Sequence, residues 1–77
     1  MPDRQRRDVG LSPALPSTAT LAMRVDAMHQ AGMIVTVTSL AQHFGIGEPA
    51  VKRILQRAEL LRMLRYDQER GWIPDRT

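Results

Sequence analysis

The apolar positions of the chain fall into successive rhythms, and each rhythm predicts a different element. Leu21, Val25 and Met28 recur at i, i+4 and i+7, which places them on one face of a helix. Ser17 or Thr18 can offer the oxygen that caps its first turn, and Gly32 marks its end. The run Met33-Ile34-Val35-Thr36-Val37 is short and β-branched, so it predicts a brief strand. A second helix follows, with the Thr36 side chain reaching the amide of Ser39 and Leu40, Ala41 and Phe44 as its buried stripe. Gly45 ends that helix after barely two turns, because glycine tolerates a left-handed exit.

Gly47 and Glu48 open a third helix, with Pro49 in the first turn, where its missing amide hydrogen costs nothing. Val51, Ile54, Leu55 and Ala58 repeat along one face, and Lys52, Arg53, Gln56 and Arg57 occupy the other. Beyond Arg62 the period shortens to two: Met63 to Asp67 runs out, Gln68 to Gly71 turns and carries Arg70, and Trp72 to Pro74 returns as a β-hairpin. Residues 1–17 show no period and hold three prolines and five charges, which predicts a flexible N-terminal arm ahead of one domain over 18–77. The expected fold class is mainly α (α+β), a three-helix core with a C-terminal hairpin.

Composition narrows the chemistry. A chain of 77 residues has room for one small domain, and three aromatics among 43% hydrophobic residues imply a thin core of aliphatic and methionine side chains. Met23, Met28, Met33 and Met63 are expected to pack there. With no cysteine and two histidines, neither disulfides nor a metal centre is expected, and no cofactor is called for. No paired carboxylates, activated nucleophile or phosphate loop is visible, so an enzyme is not expected and no catalytic residue is assigned, His29 and His43 included. No stretch approaches the ~20 apolar residues of a membrane span and no secretion signal opens the chain, so a cytoplasmic place is expected.

The net charge of +3 comes from ten arginines and one lysine against eight acids, and its placement matters more than its total. Lys52, Arg53 and Arg57 lie on the third helix with no acid between Ala50 and Ala58, whereas Arg65, Arg70 and Arg76 are balanced by Asp67, Glu69 and Asp75. A GC-rich genome gives the same preference for arginine, so the bias toward it carries no argument alone.

A helix-turn-helix needs a small residue where its helices cross, a glycine-like turn, and apolar residues that dock the second helix on the first. Ala41, Gly45, Ile46, Val51 and Ile54 meet those needs together. The run Leu40-Ala41, then Phe44-Gly45-Ile46, followed by Val51-Lys52-Arg53, resembles the helix-turn-helix of bacterial winged-helix repressors, the DeoR-type regulators among them. The resemblance covers about two thirds of the chain, from the first helix through the hairpin. One departure is Arg62 where such domains commonly place glycine, so the third helix either runs on or ends in a costlier conformation.

The resemblance implies a transcriptional regulator, a repressor, that reads double-stranded DNA by laying the third helix in the major groove. Gly47, Glu48 and Pro49 would then lie nearest the bases, with Lys52, Arg53 and Gln56 on the exposed face behind them. Arg53 is the expected base reader, since a guanidinium can pair with guanine O6 and N7. Glu48 can accept from a cytosine amine, or simply favour the positive start of its helix. Lys52 and Arg57 suit phosphates, as do Thr38 and Ser39 with the free amides of the second helix. Arg70, expected at the hairpin tip, can enter a minor groove or remain a solvated turn residue, and the Arg4, Arg6 and Arg7 cluster can trail a backbone or do nothing. Trp72 is expected to lid the core more than to stack bases.

One such domain reads few base pairs, so a homodimer on a palindromic site is expected, with Leu60, Leu61 and methionines of the first helix as the contacting surfaces. No separate effector-binding domain for a small molecule is expected. Two other readings use the same residues: an architectural, excisionase-like factor that bends DNA for recombination, and a winged-helix module that binds proteins only.

Overall fold

A computed structural model describes residues 15–75. Three helices, α1 (Thr18–Gln30), α2 (Val37–Phe44) and α3 (Glu48–Leu60), precede an antiparallel hairpin of β1 (Leu64–Asp67) and β2 (Gly71–Pro74). Leu64 faces Pro74 and Tyr66 faces Trp72 across the hairpin. The expected three-helix core with a C-terminal hairpin is the observed fold. Of the two residues expected to cap α1, Ser17 is the N-cap, and its hydroxyl accepts from the Thr20 amide at 3.0 Å. The arginines at 4, 6 and 7 lie outside the described residues.

Each helix ends on a left-handed residue that lets the last carbonyls find amides. Gly32 and Gly45 do this for α1 and α2, with φ of 81° and 69°. Arg62 does it for α3 at φ 61°, the one non-glycine residue with positive φ among those described. Its amide donates to Glu59 O at 3.0 Å, and that of Met63 donates to Ala58 O at 2.9 Å. Of the two outcomes anticipated for this helix end, the costlier conformation is the one adopted.

The core is aliphatic: Leu21 and Val25 of α1, Leu40 of α2, Val51 and Leu55 of α3, Val35 and Leu64 are all at most 1% exposed. Helix α1 packs on α3 and on β2, while α2 and β1 each pack on α3, so α3 is the spine of the domain. Ile54, expected in the core, is half-buried at its edge, as are Phe44, Ile46 and Trp72. Met28 and Met63 pack as expected, but Met23 and Met33 are 73% and 49% exposed and do not.

The strand expected over Met33 to Val37 contracts to one bridging residue. Val35 lies alongside Gly71, its amide donating to Arg70 O at 3.4 Å and its carbonyl accepting from the Trp72 amide at 2.9 Å. Thr36 then turns the chain into α2, so the β-branched run has no length left for a ladder. Gly71 makes this junction possible. Its φ is 77°, and a Cβ there would overlap the Val35 carbonyl oxygen and sit 3.0 Å from the carbonyl carbon.

Candidate nucleic-acid interface

Helix α3 carries two exposed stripes, Lys52-Gln56-Glu59 and Arg53-Arg57-Leu60, each at i, i+4, i+7 spacing. Val51, Leu55 and Ala58 anchor the opposite face in the core, so rotation of α3 about its axis is fixed by burial and the cations point to solvent. Lys52, Arg53 and Arg57 are all exposed, and no acid lies between Ala50 and Ala58. These three cations, with Glu48 and Glu59 only toward the two ends of the helix, give its middle a positive surface that suits a polyanion.

The start of α3 meets the start of α2. Gly47 caps α3 in extended conformation without a side-chain bond, and Glu48 and Pro49 form the exposed first turn. The Thr38 hydroxyl donates to Glu48 Oε2 at 2.9 Å, tying the two helix starts together. Glu48 therefore has a structural task in the free protein, and Thr38 reaches an outside acceptor only by releasing it. Nothing in the local sequence signals this pair, because its ten-residue separation closes only through the angle between the helices.

Ser39 is engaged too. Thr36 and Ser39 form a reciprocal capping box: the Ser39 amide donates to Thr36 Oγ1 at 3.0 Å, the Thr36 amide donates to Ser39 Oγ at 3.0 Å, and the Ser39 hydroxyl donates to Thr36 O at 2.9 Å. The expected Thr36 cap is present, but the Ser39 hydroxyl has no free hydrogen for a phosphate. The amides of Val37 and Thr38, in the first turn of α2, are the open donors there.

Arg70 is exposed but stands at the end of the hairpin turn, not at its tip, which Gln68 and Glu69 occupy. It borders a cleft of about 300 Å³ with His29, Gly32, Met33 and Ile34, on the side of the loop that joins α1 to α2. The turn is braced by Asp67, whose Oδ2 accepts from the amides of Arg70 at 2.8 Å and Glu69 at 3.0 Å. Those two bonds, that of Arg70 foremost, hold the Asp67 carboxyl below its ordinary range, helped by the charges of Arg65 and Arg70.

Sequence reasoning passed over the aromatic face of the hairpin. Tyr66 and Trp72 meet edge to face with centroids 5.5 Å apart, as their cross-strand register allows. Trp72 is half-buried against the core, as a lid would be, and it also borders a cleft of about 240 Å³ with Val37, Lys52, Gln56 and Glu59. The hairpin thus flanks one stripe of α3. Among the described residues no group of three or more His, Asp or Glu side chains could hold a metal, and no helix is long and apolar enough to cross a membrane.

Compared with protein-family models, curated proteins and solved structures, the chain matches none of them.

Proposed function

We propose that this chain is a sequence-specific, double-stranded DNA-binding regulator of transcription, a repressor that lays α3 into the major groove. The observation that carries the reading is the solvent-facing row of Lys52, Arg53 and Arg57 on a helix whose orientation the core fixes. A major groove about 12 Å wide admits one such helix. Arg53 reads a guanine edge; Lys52 and Arg57 hold phosphates, joined by the open amides of α2; Gly47, Glu48 and Pro49 lead into the groove with Gln56 behind. Arg70, set beside the α1 to α2 loop, meets the duplex backbone or minor groove. The protein acts by binding, without a catalytic step, as a homodimer on palindromic sites in the cytoplasm at the nucleoid.

Selection of bound sequences from a random duplex pool, followed by binding measured against salt, tests this. A defined motif should be enriched, and the phosphate contacts of Lys52 and Arg57 alone should contribute about −1.8 to the slope of log K against log salt. Lack of enrichment together with salt-insensitive binding refutes it. Exposed Leu60, Leu61, Met33 and Ile34 favour a protein-interaction module as the second reading, and that reading predicts this refuting result. Direct-repeat sites bent on binding would instead favour the architectural role.

A further inference from the structure

We infer that Leu60 determines base preference: facing the groove floor in line with Arg53, it packs on the 5-methyl group of a thymine about three base pairs from the guanine that Arg53 reads. This rests on the DNA-binding reading above and deepens it by naming a second base, and it can fail while that reading stands. Leu60 is 82% exposed, more than any other large hydrophobic residue among those described.

Helical geometry sets where Leu60 points. Val51, Leu55 and Ala58 fix the buried side of α3, and each residue turns about 100° from the last. Pro49, Arg53, Gln56 and Leu60, at i, i+4, i+7 and i+11, therefore share one line on the side opposite that anchor, and all four are exposed. Lys52 and Arg57 lie about 140° apart around the axis, one on each flank of the line. Cations on opposite flanks suit the two phosphate walls of a groove, and the line between them then faces the floor. Glu59 stays off this line, since it borders the cleft beside Trp72 with Lys52 and Gln56. Leu61, the C-cap residue of α3, is about 100° further round and off it too.

Arg53 and Gln56 offer hydrogen bonds along this line, whereas Leu60 offers only methyl groups. On the floor of the major groove the 5-methyl of thymine is the apolar group that base edges present. A leucine among cations fits a partner that is anionic at its rim and apolar at one point, which a groove containing thymine is and an apolar protein surface is not. Leu60 lies about 10 Å beyond Arg53 along the helix axis at 1.5 Å per residue. That length equals about three base-pair steps of 3.4 Å.

The test takes the duplex enriched in the selection and replaces each thymidine in turn with deoxyuridine, which lacks only the 5-methyl, and reads binding by anisotropy. One position, about three base pairs from the guanine to which Arg53→Ala becomes indifferent, should lose about fourfold in affinity, the worth of one buried methyl-sized group. Leu60→Ala should lose a similar factor on the thymidine duplex and nothing further on the deoxyuridine duplex, whereas Leu61→Ala should keep the whole difference. Both side chains are exposed, so both variants should melt as wild type does. A Leu60→Ala protein that still distinguishes the two duplexes, a motif in which no thymidine methyl matters, or a sensitive thymidine remote from the Arg53 guanine would overturn the inference and leave the DNA reading standing. An even loss on every sequence, with a changed mass in sedimentation, would mark Leu60 as a protein contact and overturn it as well. Failure to enrich any duplex overturns both.

Discussion

Gly71→Ala should remove a large share of the stability of this domain, and the size of the loss follows from two separable costs. The first is conformational: at φ 77° an alanine bears a left-handed penalty of about 1–2 kcal/mol. The second is steric, because the new methyl would overlap the backbone of Val35, a residue that is itself fully buried. Backbone cannot rotate away as a flexible side chain can, so β2 must separate from Val35. The Trp72 to Val35 and Val35 to Arg70 hydrogen bonds, at 2.9 and 3.4 Å, are then lost, each worth about 0.5–1.5 kcal/mol. Reduced freedom of the unfolded chain returns about 0.4–1 kcal/mol. The net is about 3 kcal/mol. For a chain of 77 residues the total stability is about 4–12 kcal/mol, and a loss of about 3 kcal/mol lowers the melting midpoint by about 12–24 °C.

Gly32→Ala is the control that isolates the steric part. Its φ is 81°, yet nothing lies within 4 Å of the added methyl. It bears the conformational penalty alone, about 1 kcal/mol net or roughly 4–8 °C. Thermal unfolding of both variants by circular dichroism measures the difference. If Gly71→Ala melts within about 4 °C of Gly32→Ala, the close approach of β2 to Val35 does not hold the hairpin on the core.

Three further outcomes are expected. Arg53→Ala should weaken binding to the selected duplex by about 1–3 kcal/mol with an unchanged melting midpoint, and a fall in that midpoint would show that the Arg53 side chain is not free of the core. Lys52→Ala should weaken binding evenly across sequences and make the salt slope shallower by about 0.9; a changed base preference in the same anisotropy titrations contradicts a phosphate role. The Asp67 carboxyl is depressed in the folded state, so its contribution is complete above the ordinary value of 3.8 and declines as pH falls through the lower folded value. Amide resonances of Glu69 and Arg70 followed by NMR should shift in that acid range and not in Asp67→Asn, and equal shifts in both proteins would discount the turn bonds.

Helix ends were legible because their signals are local. Ser17, Thr36, Gly32 and Gly45 each bind or bend the backbone within a few residues, and the structure uses all four where the sequence predicts. The exposed row of Lys52, Arg53 and Arg57 was legible for a related reason, since Val51, Leu55 and Ala58 leave α3 one way to face. What escaped depends on contacts between elements. The β-branched run after Gly32 has strand composition, yet pairing is decided by the partner, and of that run Val35 alone is bridged, to Gly71. Ser39 has the hydroxyl of a phosphate ligand, but Thr36 claims it. The Thr38 to Glu48 bond needs the crossing of α2 on α3, which no periodicity encodes.

That crossing is where fold and proposed chemistry meet. The buried side chains are apolar and hold the helices together, and the exit from α2 into α3 is shaped further by contacts at the helix ends. The direction is set at the ends: Gly45 turns the chain left-handed out of α2, the Ile46 amide closes on Ala41 O at 3.1 Å, and Gly47 starts α3 in extended conformation. Thr38 and Glu48 then join the two first turns at the surface, on the side of the open amides of α2. Removing this bond frees a carboxylate near donors proposed to meet phosphate, which raises repulsion, and it also loosens the angle that aims α3. Both effects act against a duplex. Glu48→Gln keeps an acceptor for Thr38 while removing the charge, so the aim of α3 is kept as the repulsion is lost. Tighter but less sequence-selective binding should follow in a competition titration against random duplex, and weaker binding to every duplex would show that the charge itself holds the helices in place.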